Sequence, residues 1–521
     1  MEQPVAVKQA SNGDAQVYYL GKPLYAPAPR DAARRRVERL ALQPDTLILW
    51  SAPLLWYGAQ QLLDLLPPGC RVFAVECNRD LYEFTRQRAQ LRDERISLFD
   101  GSASSLHLML SHVDESRLRR VVELTTNSAA MLSRPEYRRI VATLERQIRI
   151  TWQNRRTLQA MSRLWIRNIQ RNIPLLPRAS VVRGSAQRDV AVCGAGPSLE
   201  RAIPFLRHTR AVITIVAVDT ALPILEAHDI TPDIVVALEG QLYNAYDFLP
   251  VSDRGYALIS DLTGSFVVAE MHSRITWTLS EFGESSLVRR VSDLPGISTV
   301  LPPLGSVGVA AVDLAQRLVS GRVFLSGLDF AVQPGKTHAR GAPGYLFALA
   351  RTQKTSPVRD RGIEVNLHTH AGAEGTVGTT QVLLGYARDL ERIADRKRCL
   401  VLEPDGVALS LHSLGTNEAY ELLGSGIDPP RVEPPNEALV WNRAILIKRF
   451  VQNEIEVLEN LLTGKKPEAE RAAALADYLV ADTGFERPGE NALIANPAVR
   501  INAEYFLSRW KLTERLLEQR Y

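Results

Sequence analysis

From Thr46 to about Leu124, short apolar runs alternate with amphipathic runs of helical spacing, in the order TLILW, YGAQQLLDLL, RVFAVE, LYEFTRQRAQL, RISLF and RRVVEL. Runs apolar at every position suit strands covered on both faces, and their alternation with helices predicts a parallel-sheet α/β unit. The rhythm returns between about 186 and 425: DVAVC, a helix from Leu199, AVITIVAV, TALPILEAH, DIVVALE, YALIS, ITWTL, a helix from Val307, RVFLSG, a helix from Thr379 and CLVLE. Between the two units, Pro135 to Ile173 is helical in composition and rich in arginine. Beyond Pro430 the pattern predicts helix only. Ile447, Val451, Ile455, Leu458 and Leu462 form one apolar stripe, and Phe506, Trp510, Leu512, Leu516 and Leu517 form another. The predicted fold class is therefore α/β, with two Rossmann-like parallel-sheet domains and a small all-α C-terminal domain. Boundaries fall at 1–150 for the first Rossmann-like domain, 151–185 for a helical connector, 186–425 for the central domain and 426–521 for the helical one. Residues 426–437, with four prolines, read as a linker.

Composition narrows the function classes. The 521 residues carry 62 basic and 58 acidic side chains, a net charge of +4, which is weak for a dedicated nucleic-acid binder. Cys70, Cys77, Cys193 and Cys399 are scattered without CxxC spacing, as in a reduced, cytoplasmic protein. No apolar run approaches the roughly 18 residues that span a bilayer, and no signal-peptide pattern opens the chain. Oligomeric state is left open.

The polar residues fall at predicted strand ends. In the first unit Ser51 to Gly58 occupies the place of a dinucleotide-binding loop with a single glycine, and Glu76 ends the second strand where an acid would hold a ribose; we read this as a Rossmann-like domain that has lost its ligand. In the central unit VAVC runs into Gly194, Ala195, Gly196, Pro197 and Ser198 and then a helix. Glycines let the backbone approach a ligand, proline suits the first helical turn, and amides there suit a phosphate or carboxylate. Three further strand ends carry acids: Asp219 with Thr220, Glu239 with Gln241, and Asp329 after Gly327. Each could serve ribose hydroxyls, a metal or a proton transfer, and Asp219 reads equally as an N-cap. Ser306, opening the helix from Val307, is either a second anion cradle or a cap. Gly335, Lys336, Thr337 and His338 follow Asp329, offering a lysine for a departing phosphate and a histidine able to take a proton near neutrality.

Taken together, GAGPSL at 194–199, AVDTAL at 217–222, PDIVV at 232–236, GSVGVAAVDLA at 305–315 and SGLDFAVQPGKTHARG at 326–341 resemble the motility-associated factor family of flagellin glycosyltransferases. The first and last are also similar to bacterial CMP-sialic acid sialyltransferases. The resemblance implies transfer of a nonulosonic acid, of the pseudaminic or legionaminic type, from its CMP donor to Ser or Thr of flagellin. It places Gly194, Gly196, Pro197 and Ser198 against CMP, Asp219 and Thr220 near its base or ribose, and Ser306 near the phosphate or sugar carboxylate. His338 is the implied base, with His368 and His370 as rivals. Ala195 stands where the sialyltransferases carry asparagine, and Glu239 where the family more often shows aspartate.

This chemistry asks for alignment, charge stabilisation and one proton acceptor, so no cofactor or metal is required. Two alternatives remain. The same type of turn occurs in enzymes that transfer pyrophosphate from ATP to 6-hydroxymethylpterin, for which Asp219, Asp233, Glu239 or Asp329 would hold Mg²⁺. A non-catalytic flagellar assembly factor would keep the fold without turnover.

Overall fold

The structure is a computed structural model that describes residues 4–88, 93–114, 118–184, 187–251, 255–281, 286–333, 336–350, 352–354, 367–424, 429–463 and 497–521. Gly335 lies outside the described residues. The chain gathers into two compact units, Met1–Leu158 and Gln159–Tyr521.

The first unit opens with an antiparallel ribbon of β1 (Val5–Gln9), β2 (Ala15–Tyr19) and β3 (Lys22–Pro23). A parallel sheet follows from β4 (Thr46–Ser51), β5 (Arg71–Val75), β6 (Ile96–Phe99) and β7 (Arg120–Thr125), in the order β6-β5-β4-β7. Every residue of β4 is buried, which is why it reads as an unbroken apolar run. In the loop after β4, Ala52, Leu54, Trp56 and Gly58 all take positive φ. Ala52 and Leu54 are fully buried there, and the Tyr25 hydroxyl bridges the loop by donating to Pro53 O and accepting from Leu55 N–H. Glu76 points inward, accepting from Asn78 N–H at 3.0 Å and the Tyr137 hydroxyl at 3.4 Å, and burial pushes its carboxyl up to about 7.

The second unit is built on a nine-stranded sheet, all parallel. After β8 (Val181–Arg183), its strands are β9 (Asp189–Cys193), β10 (Ile213–Val218), β11 (Ile234–Ala237), β12 (Ala257–Asp261), β13 (Ile275–Ser280), β14 (Ile297–Leu301) and β15 (Val323–Ser326). A hairpin of β16 (His368–Gly372) and β17 (Gly375–Thr379) precedes β18 (Cys399–Leu402) and β19 (His412–Leu414). The spatial order is β14-β13-β12-β11-β10-β9-β15-β18-β19. The chain steps outward from β9 to one edge, crosses back through the helix Val307–Leu318, and resumes on the other side of β9. Strand order therefore reverses between β9 and β15, and the crevice outside the carboxyl ends of those strands is where open α/β sheets receive ligands.

One expectation is corrected here. The region beyond Pro430 is not helix only: β20 (Arg431–Glu433) pairs antiparallel with β8, an interaction too short to leave a periodic signature. The helices Glu437–Leu462 and Pro497–Arg520 then bury Ile447, Val451, Leu458, Phe506 and Trp510 in one core with Leu258, Trp277 and Leu279 of the sheet. The helix Arg134–Asn172 is one continuous element whose last turns, with Ile166 and Ile169, belong to the same core.

Candidate functional site

The turn after β9 and the strand end after β15 interlock at the switch point. Gly194 N–H donates to Ser326 O at 2.8 Å, Gly196 N–H to Gly327 O at 2.8 Å, and Gly327 N–H to the Ser198 hydroxyl at 2.9 Å. A Cβ on Gly194 would lie 2.3 Å from Gly327 O, and one on Gly327, whose φ is +69, would lie 2.1 Å from Gly194 O. These glycines are required by backbone meeting backbone.

Two side chains expected to serve the ligand are engaged within the turn itself: the Ser198 hydroxyl is buried against Gly327, and Asp329 Oδ2 accepts Ser198 N–H at 2.9 Å. Asp329 is 8 % exposed, and burial raises its pKa while the Ser198 contacts oppose that rise. A buried carboxylate and a buried hydroxyl must find partners, and each finds the other strand's amide. Both residues position the turn. With Gly194, Gly196 and Ser198 donating inside the protein, the Ala195 N–H is the turn donor left without an acceptor among the described residues.

The helix Val307–Leu318 starts beside this turn, because Gly308 and Gly194 both pack against Leu328, whose Cδ2 is 2.5 and 2.6 Å from where their Cβ atoms would be. Ser306 occupies the N-cap position, but its side chain makes no capping hydrogen bond. The first-turn amides and the positive end of this helix dipole therefore face the crevice without a side-chain cap.

Acids line the other side. Asp219 is 3 % exposed, accepts from Thr220 N–H at 2.9 Å and Asn244 Nδ2 at 3.2 Å, and is pushed up to about 6 by burial. Asp247, which the sequence reading missed, is buried beside it and raised to about 7, first by burial and then by the Asp219 charge. Glu239 keeps its side chain in contact with solvent, yet surrounding protein and then Asp261 raise its pKa. The same carboxylate is felt by Tyr386, whose ring packs on Gly305. Gln241 is exposed at the mouth. Beyond it Tyr243, Tyr246 and Phe347 form an exposed aromatic rim, with ring centroids 5.5 Å apart in each successive pair.

The floor of this acidic half is fixed by the long helix. Asn168 donates to Gly240 O and Thr263 O, each at 2.9 Å, and Asn172 to Leu262 O and Gly264 O, each at 3.0 Å. Amides four residues apart on one helix face thus satisfy the loops after β11 and β12.

The segment after Asp329 closes the third side. Ala339 N–H donates to Ala195 O at 2.8 Å, which sets His338 next to the glycine turn, exposed and with Nδ1 3.0 Å from the Thr337 hydroxyl. Lys336 Nζ lies 2.6 Å from Glu200 on the helix leaving the turn. Partial burial opposes ionisation of Glu200, but Lys336 and the Arg340 amide hold its carboxyl below the ordinary range. His368 and His370 stand on the β16–β17 hairpin, which joins this segment through Val332 N–H to Gly378 O at 2.8 Å.

Of the four acids weighed for Mg²⁺ in the alternative chemistry, Asp233 stands apart from the others. Asp233 lies at the amino end of β11, the opposite end of the sheet from Asp219, where Arg210 grips it at 2.9 and 3.1 Å. Asp329 is occupied by Ser198. Among the described residues no group of three or more His, Cys, Asp or Glu is disposed to hold a metal ion. Nor is any described helix long and apolar enough to cross a membrane.

Comparison with known proteins agrees with this architecture. Residues 165–335 match the family described as 6-hydroxymethylpterin diphosphokinase MptE-like. An uncharacterized protein of Treponema pallidum (strain Nichols) is 28 % identical over 411 residues, covering 76 % of this chain and 71 % of its own. A second uncharacterized protein of that organism is 34 % identical over 98 residues, 17 % of this chain and 44 % of its own. In structure, the whole chain is similar to the Maf glycosyltransferase from Magnetospirillum magneticum AMB-1, with a TM-score of 0.57, 15 % identity and 91 % of that chain covered. The resemblance carried by the motifs thus holds at the level of fold: the chain shares the fold of that Maf glycosyltransferase, and its central residues 165–335 are similar to the MptE-like family.

Proposed function

We propose that this protein is a glycosyltransferase that moves a nonulosonic acid of the pseudaminic or legionaminic type from its CMP donor to Ser or Thr of flagellin, in the cytoplasm, before the flagellum is assembled. The observation that carries the reading is the meeting of the 194–198 turn, the 326–329 strand end and the uncapped start of the Val307 helix at the switch point. In this reading the donor phosphate and sugar carboxylate lie against the Ala195 N–H and the Ser306 helix start, where backbone dipoles favour anions. Asp219 and Thr220 meet the ribose or base, with Glu239 and Gln241 at the mouth. The acceptor oxygen bonds to the anomeric carbon, the bond from that carbon to the phosphate oxygen breaks, CMP leaves, and the hydroxyl proton passes to His338. Lys336 acts through Glu200, holding the His338 segment on the turn. The aromatic rim of Tyr243, Tyr246 and Phe347 receives the acceptor polypeptide.

The test is intact-mass analysis of flagellin from cells with and without this protein. Loss of a mass increment matching a nonulosonic acid is expected, and an unchanged mass refutes the acceptor. His338→Ala should abolish transfer while cytidine nucleotide still stabilises the protein; if His368→Ala or His370→Ala alone does so, the base lies on the hairpin.

The match of residues 165–335 favours one second reading, pyrophosphoryl transfer from ATP to 6-hydroxymethylpterin. Its Mg²⁺ would be held by the ATP phosphates together with one or two carboxylates, Asp219 or Glu239. Thermal stabilisation by CMP or CTP without metal supports the glycosyltransferase. Stabilisation by ATP only with Mg²⁺ supports the kinase, and neither response supports an assembly factor.

A further inference from the structure

On the helix Arg134–Asn172, Arg163, Arg167 and Arg171 recur every fourth residue and so share one face. The C-terminal helix Pro497–Arg520 runs alongside, tied to it by Gln170 Nε2 donating to Phe506 O at 3.1 Å and the Thr513 hydroxyl donating to Gln170 O at 2.8 Å. It adds Tyr505 and Arg509. Between the helices lies a concavity of about 220 Å³ lined by Arg163, Leu164, Arg167 and Tyr505. Arg163 stacks over the Tyr505 ring at 4.7 Å and Arg171 over Phe266 at 3.8 Å, so planar side chains hold two of the guanidinium groups in place.

Three of these guanidinium groups lack a counter-charge among the described residues. Among the described residues no carboxylate forms an ion pair with Arg167, Arg171 or Arg509. The Nε atoms of Arg167 and Arg509 are shut off from solvent and have no hydrogen-bond partner. Burial, then the charges of Arg509 and Arg167, lower the pKa of Arg171, and Glu270 offsets this only in part. Like charges brought together in a partly desolvated place, with donors unsatisfied, are costly without an anion.

We propose that this groove is a second anion site, separate from the switch-point crevice, and that it takes a small phosphate-bearing ligand on the scale of phosphate, pyrophosphate or a phosphomonoester. Guanidinium forks match phosphate oxygens in pairs, and the volume is below the roughly 300 Å³ at which pockets for whole nucleotide-sized ligands begin.

The test is binding of inorganic phosphate and pyrophosphate to the full-length protein, read by thermal shift and titration calorimetry against chloride at equal ionic strength. Both phosphates should raise the melting temperature above the chloride control, with affinity falling as salt rises. The double variant Arg167→Gln, Arg509→Gln should weaken binding roughly tenfold or more, while the response to cytidine nucleotide is retained. Because removing unbalanced charge relieves repulsion, these variants should fold; Arg167→Lys, which keeps the charge but loses the fork, should weaken binding by a smaller factor. Ser198→Ala, in the glycine turn, should keep the phosphate response. No preference for phosphate over chloride, an undiminished response in the double variant, or its loss in Ser198→Ala would each overturn the proposal.

Discussion

Replacing Gly327 by alanine tests the interlock on which the crevice rests. Gly327 has φ +69, so a side chain there is first held in the left-handed region, at a cost of about 1–2 kcal/mol. The new Cβ would then sit 2.1 Å from Gly194 O and 2.6 Å from Gly194 C, both backbone atoms that cannot rotate away. Forcing the two segments apart adds about 1–3 kcal/mol, the usual range for overpacking. The sum is about 2–5 kcal/mol. Gly375→Ala provides the control, because Gly375 also has positive φ, +101, but nothing lies within 4 Å of its Cβ position. Only the conformational cost applies there. Urea unfolding followed by far-UV circular dichroism, with m-values compared, measures both. Gly327→Ala should also lose stabilisation by cytidine nucleotide, since separating Gly327 from Gly196 disturbs the turn itself. Should Gly327→Ala prove no more destabilising than Gly375→Ala, the packing argument is refuted.

Asn168→Ala removes two buried hydrogen bonds, leaving Gly240 O and Thr263 O unpaired, and should cost about 2–4 kcal/mol with faster amide exchange across 239–265; unchanged exchange there would show that the long helix does not fix the loops. Asp219 and Asp247 have folded pKa values raised to about 6 and 7, above their unfolded values, so the stability they allow is complete below about pH 4 and lost as pH rises through 6 to 7. Asp247→Asn should accordingly melt higher than the parent by a margin that grows between pH 4 and 7 and then levels; a margin independent of pH refutes the shift. Glu200→Gln should leave stability within about 1 kcal/mol, because the Lys336 pair is partly exposed, yet slow transfer by freeing the His338 segment; unaltered transfer would show that the pair has no positioning role.

Which features were legible follows from where the signal resides. Strands β9, β10 and β13 are buried at every position, so parallel packing writes itself into the chain as unbroken apolar runs. β14 escaped notice because it is an edge strand whose burial alternates, and β19 because it has three residues. In the site, Gly194, Gly196, Gly327 and Asp219 were found because glycine turns and acids at strand ends are local features. Asp247, Asn244, Tyr386 and Asn168 were missed, since an acid in a short turn or an asparagine within a helix carries no mark of what it will face.

The sequence alone determined the α/β rhythm, the helical C-terminal segment and the points where backbone must bend closely. Tertiary structure decided the rest: that β15 lies beside β9, that Asp329 reaches back across 131 residues to hold Ser198, that Lys336 turns to Glu200, and that Asp233 sits at the far end of the sheet from Asp219. Periodicity records which residues are covered, because burial is a property of each position. Which two distant groups meet depends on the order in which strands pair, and no single stretch of chain encodes that order.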